Sequence, residues 1–188
     1  MLKRIEEFGK FIGIAGFRDV KIHDVTRFCE QVNVSKSADV ETQFFNAQRI
    51  ATWQHLYFST LNALTSFKNK TNVSRSLAME IIHFASAQRQ IREAVSAIGI
   101  SPESTEVAVA IVAARQRAVE FALGVVSRFL GGERDDAVLE LTPEKINGIA
   151  KVFDISPGEF WAMGSGKKSE QALVDLVLER VALVSTRR

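Results

Sequence analysis

Cysteine is almost missing from this chain: Cys29 is the single thiol in 188 residues. No disulfide can form within it, and a reducing compartment is expected. Proline occurs three times and glycine eleven times, too rarely for a disordered or low-complexity chain. No uncharged apolar stretch approaches the roughly 18 residues that a membrane helix needs. Glu6 and Glu7 stand where a secretory leader would place its apolar core. A soluble, cytoplasmic protein is therefore expected. Charge of one sign is lacking too: Lys plus Arg is 24 and Asp plus Glu is 22, without the basic excess of many nucleic-acid binders. There is no nucleophile elbow, dinucleotide fingerprint or paired-acid motif. His23, His55 and His83 lie in separate stretches, and Cys29 has no cysteine partner. No metal site, no cofactor and no enzyme activity are expected.

What is present is an ordinary globular composition, 46% hydrophobic and 24% charged, with thirteen Phe and two Trp to fill a core. The run 10–17 is apolar and β-favouring, and its two glycines point to close approach of another backbone or a bulge. Asp24 caps a short helix with a stripe at Val25, Phe28, Cys29 and Val32. A second strand is read at 40–47 and a third at 105–112. From Gln48 to Phe67 the stripe Ile50, Trp53, Tyr57, Leu61 and Leu64 predicts a helix. Another, capped by Ser74 or Ser76, is apolar nearly all round at 77–85, and the next closes at Gly99. Residues 115–130 form a helix expected to turn Ala118, Phe121, Ala122, Val125 and Phe129 inward. Helices follow after Thr142-Pro143, after the capping box Ser156-Pro157-Gly158-Glu159, and over 169–184. The fold class is mixed α/β, a single small β-sheet wrapped by about six helices. It forms one domain, 1–188, with 141–188 a helical C-terminal portion packed on it.

Few residues offer chemistry. The segment 164–169, Gly-Ser-Gly-Lys-Lys-Ser, imitates a phosphate loop, but Trp161 stands where the first glycine belongs and no strand leads in. Glu80, in a very apolar helix turn, reads either as an acid–base group or as the buried partner of an arginine such as Arg89. Two features point to binding. The stretch 68–76 is basic and hydroxyl-rich at a helix start, with Lys68, Lys70 and Arg75, and Gln88-Arg89-Gln90 adds forked donors at the other end of that helix. The last helix is too apolar for one core, so its second face packs either on this chain or on a partner.

The string 72–82, Asn-Val-Ser-Arg-Ser-Leu-Ala-Met-Glu-Ile-Ile, continuing through Ala85-Ser86-Ala87-Gln88-Arg89-Gln90-Ile91, closely resembles the kinase-binding small subunit of the KEOPS complex. The likeness extends upstream through 43–47 and 53–56 and downstream through 153–156 and 177–183, so it spans nearly the whole chain. The loop 163–168 matches no family feature. The resemblance implies a non-catalytic subunit in threonylcarbamoyladenosine modification of tRNA. Such a subunit docks on a kinase-like ATPase, which in turn contacts the threonylcarbamoyl transferase subunit, and it holds the single-stranded acceptor end of tRNA. On that reading Lys68, Lys70, Arg75, Gln88, Arg89 and Gln90 are the candidate RNA contacts. Leu176, Arg180, Val181 and Leu183 are the candidate kinase contacts. Two other readings stay open: a small-molecule enzyme centred on Glu80 and His83, and a self-assembling structural protein using the final helix.

Overall fold

The computed structural model describes residues 1–35, 37, 39–164 and 169–184. Its centre is one antiparallel sheet of five strands: β1 (Leu2–Ile5), β2 (Lys10–Arg18), β3 (Glu41–Asn46), β4 (Val107–Ala113) and the two-residue β5 (Glu133–Arg134). The order is β1-β2-β4-β3, with β5 pairing the end of β2. All seven residues of β4 are buried, which explains why it reads as an unbroken apolar run: helices cover both of its faces.

Alternate residues of the sheet feed two cores. On one face Ile12, Ile14, Phe45, Ala108, Ala110 and Val112 pack under α2 (Trp53–Lys68), α3 (Leu77–Ser86) and α4 (Ile91–Ile98). On the other, Ala15, Phe17, Phe44, Val107, Val109 and Ile111 pack against α1 (Val25–Ser35) and α5 (Gln116–Leu130). A third cluster joins Ala51 to the C-terminal helices α6 (Pro143–Val152), α7 (Pro157–Gly164) and α8 (Ser169–Leu183). The mixed α/β expectation with one sheet holds, with eight α-helices among the described residues where about six were expected.

Local chemistry sets the boundaries. Asp24 accepts from the Arg27 amide at 3.0 Å and starts α1, and Ser76 accepts from the Met79 amide at 3.3 Å and starts α3. The Ser156 amide donates to Glu159 Oε2 at 2.9 Å while the Glu159 amide donates to Ser156 Oγ at 3.2 Å, closing the expected box at α7. The glycines of β2 mark close approaches. A β-carbon on Gly13 would lie 2.4 Å from Val119 Cγ1, and one on Gly16 would lie 2.6 Å from the Asp135 carbonyl oxygen.

Two helix faces differ from expectation. On α5 the inward residues are Val119, Ala122, Val125, Val126 and Leu130, while Phe121 is 59% exposed. Two stripes of similar period compete on this helix, and the notch at Gly13 accepts the one carrying Val119. On α2 the buried residues are His55, Leu56, Ser59, Thr60, Ala63, Leu64 and Ser66, so Trp53 lies off the core face and Tyr57 packs only at its edge. Ser59 and Thr60 enter the interior cheaply because each hydroxyl donates at 2.7 Å to the carbonyl four residues back. The helix also starts later than expected, at Trp53, because residues 47–49 form a separate 3-10 turn capped by Asn46.

Candidate functional site

The six residues expected to meet RNA separate into two groups. Lys68, Lys70 and Arg75 are exposed around the start of α3. Gln88, Arg89 and Gln90 follow its end, and the ten residues between span about 15 Å of helix. Within the first group Lys68 is already engaged, its ammonium 2.9 Å from Glu7 and 5.5 Å from the Phe8 ring centre. Lys70 and Arg75 flank a loop built inward onto Glu80, which is 1% exposed. The Glu80 carboxylate accepts from the amides of Val73 and Ser74 at 3.1 and 2.9 Å and from the hydroxyls of Ser74 and Ser66 at 2.7 and 3.1 Å. The expected pairing with Arg89 is therefore corrected: neutral donors fill the acid's lone pairs, and Arg89 is exposed at the opposite end of the helix.

Beside that loop, Ser76 and Met79 border a mainly apolar groove of about 460 Å³ between α1, β3, α3 and α4. Its walls include Val25, Cys29, Phe44, Ile82 and Val95. Burial raises the Cys29 thiol above its ordinary pKa, which keeps it protonated and poorly nucleophilic.

At the end of α3 the chain turns through Ala87, whose φ of 54° is left-handed. The segment 86–90 then forms one wall of a hollow of about 600 Å³. Facing it are Phe153, Asp154 and Glu159 with Glu179, Arg180 and Leu183 of α8, so the tertiary fold places Gln88–Gln90 against Arg180 and Leu183. Glu93, Asp154, Glu159 and Glu179 outnumber Arg89 and Arg180 there, a poor setting for phosphate. Arg180 pairs with Glu159 and ties α8 to α7. The Ser156 amide, with Arg180 and the Ser156 hydroxyl, holds the Glu159 carboxyl down at about 2.

Below this hollow, His55 links α2 to α3. Its Nε2 is 2.7 Å from the Ala85 carbonyl oxygen, so that nitrogen carries the proton, and Nδ1 accepts from the Ala51 amide at 3.4 Å. Burial lowers its pKa to about 4. A neutral ring locked at both nitrogens is a structural tie. On α6 the Lys145 ammonium is also enclosed, donating at 3.0 Å to the carbonyls of Val138 and Glu140, and burial lowers its pKa to about 8.

The apolar last helix is resolved in favour of self-packing. Leu173, Leu176 and Val177 are in the third core, and Val181 is 0% exposed. Leu176 and Val181, expected on the docking face, are corrected to core positions, because α8 is enclosed by α2, α3, α6 and α7. Arg180 and Leu183 remain partly accessible, with Leu178 beside them and Ala182 exposed. The phosphate-loop imitation at 164–169 falls mostly outside the described residues.

Sequence reasoning missed a surface on α2. Trp53 and Phe58 are 39% and 45% exposed and flank Tyr57, with ring centres 6.1 and 5.6 Å from it. The Lys3 ammonium sits 4.9 Å from the centre of the Tyr57 ring. The start of this strip shares a shallow hollow with the start of α8, lined by Thr52, Trp53 and Gln54 and by Gln171 and Val174. Thr52 Oγ1 and Gln54 Oε1 are buried there with no hydrogen-bond partner among the described residues. Ser59 and Ser66 lie across α2 from the strip, and hydroxyl residues there give the sequence no signal that this side turns inward.

Fold and surfaces together define a small α/β domain with an exposed aromatic strip and a cationic loop around a hydrogen-bonded buried carboxylate. The chain belongs to the family of the kinase binding protein CGI-121, which matches residues 17–185. It is 31% identical over 146 residues to the regulatory protein Cgi121 of Methanocaldococcus jannaschii, a match covering 78% of this chain and 84% of the relative. Among the described residues no group of three or more His, Cys, Asp or Glu could hold a metal, and no helix is long and apolar enough to cross a membrane.

Proposed function

We propose that this protein is the non-catalytic, kinase-binding subunit of a cytoplasmic KEOPS-type complex that makes threonylcarbamoyladenosine in tRNA. It docks on the kinase-like ATPase subunit, reaches the transferase subunit through it, and holds the acceptor end of the tRNA. Membership of the kinase-binding family carries the reading. The enzyme alternative loses its central residue, since four donors already occupy the Glu80 carboxylate.

The kinase surface is the α2 strip Trp53, Tyr57 and Phe58, continued by Leu178, Ala182 and Leu183 on α8. Exposed aromatics anchor interfaces well because they bury much apolar area at small entropic cost. The RNA surface centres on Lys70 and Arg75, which face solvent. The mainly apolar groove at Ser76 and Met79 lies next to them, with room for unpaired bases. Arg89 and its neighbouring glutamines go with the α8 side.

The test is a pull-down with the purified kinase-like ATPase. Phe58→Glu is expected to weaken capture by about tenfold or more, with the circular dichroism spectrum and unfolding midpoint unchanged. Wild-type capture no better than an unrelated protein would sink the assignment.

A further inference from the structure

We propose that Glu80 is a positioning residue, whose buried carboxylate sets the backbone of residues 69–76 and through it the placement of Lys70 and Arg75 toward RNA. This rests on the RNA surface proposed above.

A carboxylate inside an apolar helix is expensive to bury unless its hydrogen bonds are made. All of its donors are neutral, two main-chain amides and two serine hydroxyls. What the acid supplies is therefore geometry. Oε2 gathers the Ser74 amide and hydroxyl, and the Val73 amide bridges both oxygens at 3.2 and 3.1 Å. Oε1 also lies 3.1 Å from the hydroxyl of Ser66, in the last turn of α2, and shares that hydroxyl's one proton with the Ala63 carbonyl oxygen at 2.9 Å. One carboxylate thus fastens the end of α2, the intervening loop and the start of α3 together.

The loop needs such a brace. Lys70 has a left-handed φ of 56°, a conformation that a non-glycine residue keeps only where neighbours hold it. On the Ser66 side the Thr71 amide reaches the Ser66 carbonyl oxygen at 2.8 Å. Asn72 Nδ2 donates to the Ser74 carbonyl oxygen at 2.9 Å and tightens the turn. With the backbone held, the two exposed cations are presented at a set separation, and RNA need not order the loop on binding.

The experiment compares Glu80→Leu and Glu80→Gln in the full chain, using a tRNA acceptor minihelix with a single-stranded 3′ end, at low salt. Glu80→Leu strands two amides and two hydroxyls and should lower the unfolding midpoint. Assayed well below that midpoint, it should keep kinase capture, lose protection of the Val73 and Ser74 amides in hydrogen exchange, and weaken minihelix binding about tenfold. Glu80→Gln, which keeps one acceptor oxygen, should restore part of both. Adding Arg75→Ala should cost clearly less in the Glu80→Leu background than in the wild type, because the arginine is already misplaced. Wild-type amide protection or undiminished RNA binding in Glu80→Leu would overturn the inference, as would effects of Glu80→Leu and Arg75→Ala that simply multiply. If wild-type binding ignores Lys70→Ala and Arg75→Ala, the RNA surface itself is wrong and the proposal falls with it.

Discussion

Three kinds of polar side chain enter this interior with their hydrogen bonds made. Glu80 meets amides and hydroxyls, Ser59 and Thr60 meet their own helix, and His55 spans from Ala51 to Ala85. His55 is a test case because both its nitrogens and its ring face, 5.3 Å from Phe153, are in use. His55→Ala is expected to cost about 2–4 kcal/mol in a urea titration, from the cavity and the two abandoned main-chain groups. The pH dependence follows. Unfolded, the ring titrates near 6.5, and folded near 4, so the unfolded state takes the proton first. Stability is full above pH 6.5 and falls as pH drops from there through 4. Replacing His55 should flatten the urea midpoint across that window; an unchanged slope would show that the ring is not the group responsible.

Among the elements, α8 shows how packing overrules a sequence pattern. Its excess apolar perimeter fits equally well a helix buried by its own chain and one waiting for a partner. The fold decides for the first, because α2, α3, α6 and α7 surround it. Leu176→Ala should therefore lower stability by about 2–5 kcal/mol, the usual cost of truncating an enclosed leucine. Loss of kinase capture with undiminished stability would contradict that placement. The β2–α5 contact makes a second case. Gly13→Ala puts a methyl group 2.4 Å from Val119 Cγ1, so α5 must shift or the side chain must turn. A loss of about 1–3 kcal/mol is expected by thermal unfolding, and Val119→Ala in the same chain should recover part of it.

For the whole molecule, what matters is which surfaces lie together. Leu183 and the 86–90 segment share one hollow, while Lys70 and Arg75 lie exposed at the other end of α3. On the proposed assignment, RNA and kinase would meet different ends of that helix. Lys70→Ala and Arg75→Ala are expected each to weaken tRNA retention and to reduce the salt slope by about one. Arg89→Ala should leave the slope nearly unchanged. Filter binding across a salt series checks both, and the reverse ranking would move the RNA surface to the hollow beside α8.

The amino-acid sequence alone determined the mixed α/β class, the strands at β2, β3 and β4, the caps at Asp24 and Ser156, a cap at Ser74 or Ser76, and the family resemblance. These are short-range matters of periodicity, capping and motif, written in neighbouring residues. It did not disclose β1, whose Leu2, Lys3 and Arg4 are exposed and become a strand through pairing with β2, nor β5, only two residues long. The tertiary structure decided which stripe of α2 and α5 turns inward, whether α8 is interior or surface, and whether Glu80 meets Arg89 or the 69–76 loop. Each depends on what stands opposite: a glycine notch, a ring of helices, a cluster of amides. Periodicity marks that a helix has a face to bury, but the neighbour that receives it comes from distant parts of the chain.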